Sequence, residues 1–339
     1  MNKPTLRSRC HSWLKLARIS ALPSALSNVA LGYGVASVLV HDNGSFQVNP
    51  IGLAGLLLAS SCLYLAGMIL NDVFDIDQDR QQRPSRPLPA GEIPISVAKF
   101  AGYMLLVLGI GIATAAGWWE QATWMGAMPA LLTASCLAAA ILAYDKIWKT
   151  TWVAPWLMGG CRFLNVVLGA STLVFADQSN YLGTAAPILW LGFCLGIYVA
   201  GVTWFARQEA NSSAAHDSKF RFELQLGNGL MLVAMIAMAS SVWLGKQLNW
   251  LPDQKQSFGM MFLMLFGLIG LPVLRRNWHA MTAANPRMIQ MAVGQALRSI
   301  ILFDAALCFG FIPQAPGYAI AIAGLLIPSF LLSRWFKPT

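Results

Sequence analysis

The chain has 339 residues, of which 57% are hydrophobic and only 11% charged, and its mean hydropathy is +0.57. An ordinary globular protein carries about 25% charged residues, so this composition excludes a soluble two-domain protein, a disordered chain and a disulfide scaffold, and predicts a polytopic membrane protein. The net charge of +9 would suggest nucleic acid on a soluble protein, but its placement at span ends argues for no nucleic-acid partner here.

Apolar runs near the bilayer length of about 20 residues predict ten spans, near 19–40, 51–70, 97–117, 123–143, 153–175, 185–206, 224–244, 257–274, 289–312 and 316–333. The first run is long for a signal peptide and no small-residue cleavage site follows it. It reads as an uncleaved helix behind a cytoplasmic N-terminal segment 1–18, with 19–339 as one transmembrane domain. The run 289–312 carries Arg298 and Asp304, so a partly buried helix is the alternative there. With ten spans, 19 Lys and Arg residues fall on the side of the N-terminus and only Lys246 and Lys255 on the other. The positive-inside rule then places both termini in the cytoplasm. The six cysteines form no CxxC pair and read as small buried hydrophobes. The histidines form no zinc pattern.

Acidic residues are scarce, and four of the fourteen, Asp72, Asp75, Asp77 and Asp79, follow the second span directly. Asn71, Asp75 and Asp79 are spaced i, i+4, i+8, so a helix continuing from the span sets them in one stripe. Like charges at that spacing repel unless a cation sits between them. Oxygen-only ligands favour a hard ion such as Mg²⁺ over zinc or copper. A solvated acidic loop is the plain alternative. Arg80, Arg83 and Arg86 follow at once, and carboxylates holding Mg²⁺ beside arginines make a diphosphate site.

The run NDVFDIDQDRQQRPSRPLPAG, residues 71–91, resembles the first aspartate-rich motif of the UbiA superfamily of intramembrane prenyltransferases. The resemblance implies an all-α fold, a polytopic transmembrane bundle of about nine to ten helices with a central cavity. It implies an isoprenyl diphosphate bound through Mg²⁺ at the cytoplasmic side, and a lipophilic, aromatic or other, acceptor. By the same resemblance Asn71, Asp72, Asp75 and Asp79 are metal and diphosphate residues, and Arg83 and Arg86 occupy the motif's basic positions.

After the fourth span, Tyr144-Asp145-Lys146-Ile147-Trp148-Lys149 resembles the family's Tyr/Lys stretch. Lys149 is a candidate phosphate ligand and Tyr144 a candidate for stabilising positive charge. An interfacial Tyr and a basic inside loop are the ordinary reading. Arg162 and Asn165 lie one turn apart in the fifth span. An arginine there is costly and should face an anionic partner, either a diphosphate or Asp304. Asn28, in the first span, matches a polar position of the family, although a helix–helix hydrogen bond explains it equally well.

The sequence departs from the family after the sixth span. Most members carry a second DxxxD there. This chain reads Thr203-Trp204-Phe205-Ala206-Arg207-Gln208-Glu209. Arg207 and Glu209 are therefore expected as the second half of the site, with Arg207 binding diphosphate directly and Glu209 as a metal ligand. The ordinary reading is a charged helix end. The wording suggests a divergent bacterial branch in the inner membrane.

The expected activity is Mg²⁺-dependent transfer of a prenyl group from an isoprenyl diphosphate to a lipophilic acceptor, among membrane lipid. Hydrolysis or cyclisation of the same donor, and transport of a lipid-like solute, are the rival readings. Prenyl length, acceptor and oligomeric state are not written in a single sequence.

Overall fold

A computed structural model of the chain describes residues 6–40, 45–149, 151–174, 181–207, 218–250, 256–283 and 285–335. The regular structure among these residues is helical throughout. A short helix α1 (Leu6–Leu16) precedes α2 (Leu22–Val40) and α3 (Pro50–Phe74). The nearly two turns of α4 (Ile76–Gln82) follow α3 almost without a break. Then come α5 (Ile95–Gln121), α6 (Trp124–Ala143), α7 (Ala154–Ala170), α8 (Tyr181–Ala206), α9 (Ser218–Gln247), α10 (Gln256–Ala283) and α11 (Pro286–Phe311). The last span is divided into α12 (Pro316–Gly324) and α13 (Leu326–Trp335). Pro328 has no N–H for the carbonyl four residues back, which favours the interruption at Leu325.

All ten predicted spans are helices, including the doubtful 289–312, which is α11. Nine helical stretches are long and apolar enough by themselves to cross a membrane among the described residues. The remaining span, α7, has only 17 residues, so it is short against the usual length of about 20. Its apolar residues lie between α2 and α8. Several starts are capped from the sequence. The Asn49 side chain accepts from Ile51 and Gly52 N–H with Pro50 next in line, and Asn285 accepts from Arg287 N–H ahead of Pro286. Both satisfy donors that the first turn leaves open.

Without a hydrophobic force between helices in lipid, close packing needs small residues. The α2–α7 contact shows this. A Cβ on Gly32 would lie 1.9 Å from the Val166 carbonyl oxygen, and one on Gly169 would lie 2.1 Å from that of Val29. Large apolar side chains such as Phe100, Val107, Leu268, Leu271 and Ile320 are exposed on the outside of the bundle. Water would penalise that surface and lipid does not. The chain is an integral membrane protein.

The N-terminal helix is part of the packing around the acidic segment. Leu16 is buried with Ile69, Val73, Leu88, Ile93 and Ala98, and Ser12 Oγ donates to Glu92 at 2.6 Å. Through this contact α1 holds the chain from residue 83 to 94 against the end of α3.

Candidate active site

The stripe expected of Asn71, Asp75 and Asp79 is present. The N–H of Asp75 donates to the Asn71 carbonyl at 3.0 Å, that of Asp79 to Asp75 at 2.9 Å and that of Arg83 to Asp79 at 2.8 Å. The i to i−4 ladder therefore passes through the joint between α3 and α4, and the three side chains stay on one face. Asn71, Asp72 and Asp79 are buried. Carboxylates buried so close together need cations, and three other segments supply them.

Arg86, itself buried, donates from Nη1 to Asp79 Oδ2 at 2.6 Å and to Asp72 Oδ1 at 3.5 Å. Arg18 donates from Nη2 to Asp72 Oδ1 at 2.9 Å. Lys149 donates from Nζ to Asn71 Oδ1 at 2.8 Å and also to Asp75 Oδ2. Lys149 directly follows a π-helical turn, Tyr144–Trp148, that ends α6. Such turns are wide and recur at functional sites. Arg83 differs from the expectation. It is exposed, and among the described residues the structure does not bring it into the cluster.

Below the charged ring is a cavity of about 130 Å³ lined by Arg18, Asn71, Tyr144, Asp145, Arg162 and Asn165 with apolar neighbours. This links three stretches that lie far apart in the sequence. Asn165 Oδ1 accepts from Ser60 Oγ at 2.9 Å. Arg162 donates to Asn28 Oδ1 at 3.3 Å and to Ser24 Oγ at 3.1 Å. The expected pairing with Asp304 is indirect. Asn28 Nδ2 donates to Asp304 Oδ2 at 2.8 Å, and Ser27 Oγ does so at 2.5 Å. Asn28 thus joins an intramembrane arginine to an intramembrane acid, which explains why a polar residue is buried in the first span.

Of the expected second half, Arg207 is among the described residues. Arg207 donates to the carbonyl of Thr151, with its guanidinium 4.6 Å from the Trp204 ring centroid. It is tied to the segment that carries Lys149, and it meets no carboxylate among the described residues. Glu209 lies outside the described residues.

Two residues of the site were missed by sequence reasoning. Arg18 looks like one more basic residue ahead of a span. Its backbone is left-handed, with φ 44° and ψ 47°, an uncommon state for a non-glycine residue, and this turn sends the side chain to Asp72. Its carbonyl accepts from Tyr64 Oη at 3.2 Å. Asp145 was passed over between Tyr144 and Lys149. It is buried, and its Oδ2 has no hydrogen-bond partner. The available signal was a carboxylate in a stretch already singled out.

The donor set fits Mg²⁺. Among the described residues no three His, Cys, Asp or Glu side chains form a ready-made metal cage. Mg²⁺ bound with phosphates does not need one, because one or two carboxylates plus substrate oxygens and water complete its shell. The Lys149 ammonium shows that a cation can be held between Asn71 Oδ1 and Asp75 Oδ2 with oxygen ligands alone.

Known proteins point the same way. Two digeranylgeranylglyceryl phosphate synthases align with part of the chain. The one from Sulfurisphaera tokodaii is 35% identical over 99 residues, 29% of this chain and 33% of that protein. The one from Saccharolobus solfataricus is 25% identical over 183 residues, 54% of this chain and 58% of that protein. These matches span from about a third to somewhat over half of the relatives' lengths. The fold is similar to a solved structure described as digeranylgeranylglyceryl phosphate synthase in membranes, with TM-score 0.61, 18% identity and coverage of 90% of this chain and 99% of that one. A UbiA homolog from Archaeoglobus fulgidus bound to DMAPP and Mg²⁺ gives TM-score 0.52 and 14% identity, covering 92% of this chain and 99% of that one. At such identities the likeness is one of fold. Residues 30–294 match the UbiA prenyltransferase family. That match takes in the acidic stripe, Lys149, Arg162 and Arg207, and the chain belongs to the UbiA prenyltransferase family.

Proposed function

We propose that this protein transfers a prenyl group from an isoprenyl diphosphate to a lipophilic acceptor within the membrane, with Mg²⁺ as cofactor. The observation that carries the reading is the meeting of Asn71, Asp75 and Asp79 with Arg18, Arg86 and Lys149 above an apolar-walled cavity. Asn71, Asp75 and Asp79 hold the metal, with Asp72 beside them. When bound, Mg²⁺ neutralises diphosphate oxygens and makes the diphosphate a better leaving group.

The chain's own residues do the rest. Lys149, Arg86 and Arg18 already face the carboxylates, so they can pass some of their hydrogen bonds to diphosphate oxygens as charge builds there. The bond from C1 to the diphosphate oxygen breaks, and the acceptor forms its bond to C1. Tyr144, at the cavity wall, faces the positive charge that develops on the prenyl group. The unpartnered carboxylate oxygen of Asp145 takes the acceptor's proton. Apolar lining such as Leu137, Ile141 and Met158 keeps water away from a carbon that water would attack. Arg162 and Asn165 bind from the deeper end of the cavity.

Arg162 hydrogen-bonds only to neutral side chains, Asn28 and Ser24, among the described residues. This favours an anionic acceptor over a neutral one, in line with relatives named for a glyceryl phosphate product. The excess of Lys and Arg on one side supports a topology with both termini and the acidic segment in the cytoplasm, in a bacterial inner membrane. The test is to incubate the purified protein with labelled prenyl diphosphates, Mg²⁺ and a lipid extract of its host, and to identify products by mass spectrometry. A prenylated lipid carrying the label is expected. Free prenyl alcohol as the only product would replace transfer with hydrolysis.

A further inference from the structure

Helices α10 to α13 enclose a lateral groove of about 620 Å³, far from the acidic stripe in sequence and larger than the cavity above. Most of the groove lies beyond residue 294, where the family match ends. Its walls are apolar, with Leu268, Ile269, Leu302 and Ala323 among them, and two arginines, Arg276 and Arg298, line it as well.

The charges in this region are unbalanced. From Gln256 to Trp335 the sequence has five arginines and a single acid, Asp304. That acid is turned to Ser27 and Asn28. Arg276 donates to the neutral Gln295 at 2.7 Å. The Arg298 guanidinium lies 5.0 Å from the Phe330 ring centroid, and among the described residues it forms no ion pair or hydrogen bond. An arginine inside a span is costly to keep without an anion.

The depth is informative. Trp278 near the end of α10 and Trp335 at the end of α13 are 64% and 73% exposed, as expected of side chains at the level of lipid headgroups. At 1.5 Å per residue, Arg276 lies about 3 Å below Trp278 along its helix, and Phe330 about 7.5 Å below Trp335. Arg276 therefore lies close to the level of the tryptophans and Arg298, in the middle of α11, lies deeper, where its long side chain can reach towards the headgroups.

We propose that this groove holds an anionic glycerophospholipid, with its phosphate between Arg276 and Arg298 and its acyl chains along the apolar wall. Guanidinium groups give phosphate paired donors. A zwitterionic lipid fits less well, because no carboxylate of the groove meets its ammonium group. The site is separate from the proposed diphosphate site and does not depend on it.

The test is native mass spectrometry of the full chain in detergent, titrated in turn with phosphatidylglycerol, phosphatidylcholine and inorganic phosphate. Phosphatidylglycerol should stay bound, at least tenfold more tightly than phosphatidylcholine. The double variant Arg276→Gln/Arg298→Gln should lose at least tenfold of that affinity while keeping prenyl transfer. Equal retention of both lipids, unchanged retention in the double variant, or competition by inorganic phosphate alone at matched concentration would overturn the proposal. If the double variant does not fold, Ala323→Phe serves instead, because it fills the groove and leaves both arginines. Its retention of phosphatidylglycerol should also drop, and no change would count against the groove.

Discussion

The ends of the second and sixth spans occupy corresponding places in the span order and, among the described residues, differ in chemistry. After α3, Asn71, Asp72, Asp75 and Asp79 are gathered with Arg18, Arg86 and Lys149. After α8, Arg207 reaches a backbone carbonyl at Thr151. The first corner holds oxygen ligands and cations in balance, so on the proposed reading its residues would exchange existing partners for a metal and a diphosphate. The second corner braces the segment bearing Lys149. Among the described residues the acidic groups are gathered at the first corner and the second shows an arginine held by a backbone carbonyl, which is why the proposed chemistry is assigned to the first.

Variants can break that contrast. The largest effects should come from Asp75→Ala and Asp79→Ala, each lowering prenyl transfer at least ~100-fold, the scale of losing one aligned electrostatic group, while the protein still folds in detergent. Normal turnover in both would remove the first corner from the chemistry. Next, Lys149→Ala should cost about 100-fold, with Lys149→Arg recovering part of it. Initial rates over a series of diphosphate concentrations would show this loss in kcat as well as in KM. Asp145→Asn should lower kcat by roughly 10²-fold, within the range for a general base, and leave diphosphate binding nearly intact. A fall in binding with unchanged kcat would make Asp145 a ligand instead.

Arg207→Ala should be milder, about tenfold, because its guanidinium donates to the Thr151 carbonyl and meets no carboxylate among the described residues. A metal titration distinguishes the alternatives. If Arg207 were half of the diphosphate site, its loss would match that of Lys149 and alter the Mg²⁺ dependence. The smallest effect on activity should be that of Asp304→Ala. It takes an acceptor from Ser27 and Asn28, worth about 1–3 kcal/mol, read as a lower unfolding temperature in detergent.

The legible and illegible parts of this molecule differ in range. Spans depend on runs of apolar residues, and the stripe of Asn71, Asp75 and Asp79 on a spacing within one helix, so both could be read locally. The run 289–312 looked doubtful because Arg298 and Asp304 count against burial when their surroundings are unknown. Asp304 is matched by Ser27 and Asn28, 277 and 276 residues away. Arg18 depended on a left-handed turn that no local pattern announces. The place given to Arg207 came from position in the family pattern alone, and a backbone carbonyl as partner leaves no trace in side-chain spacing. Arg83 fitted the motif but stands outside the charge cluster.

The central claim is that the corner after α3 binds a prenyl diphosphate through Mg²⁺. The most direct measurement is calorimetric binding of a non-reacting prenyl thiodiphosphate to the purified protein, with Mg²⁺ and with a chelator. Binding to the native chain should require Mg²⁺, should vanish in Asp75→Ala and Asp79→Ala, and should survive in Arg276→Gln/Arg298→Gln. Binding of equal strength in chelator, or in both aspartate variants, would contradict it.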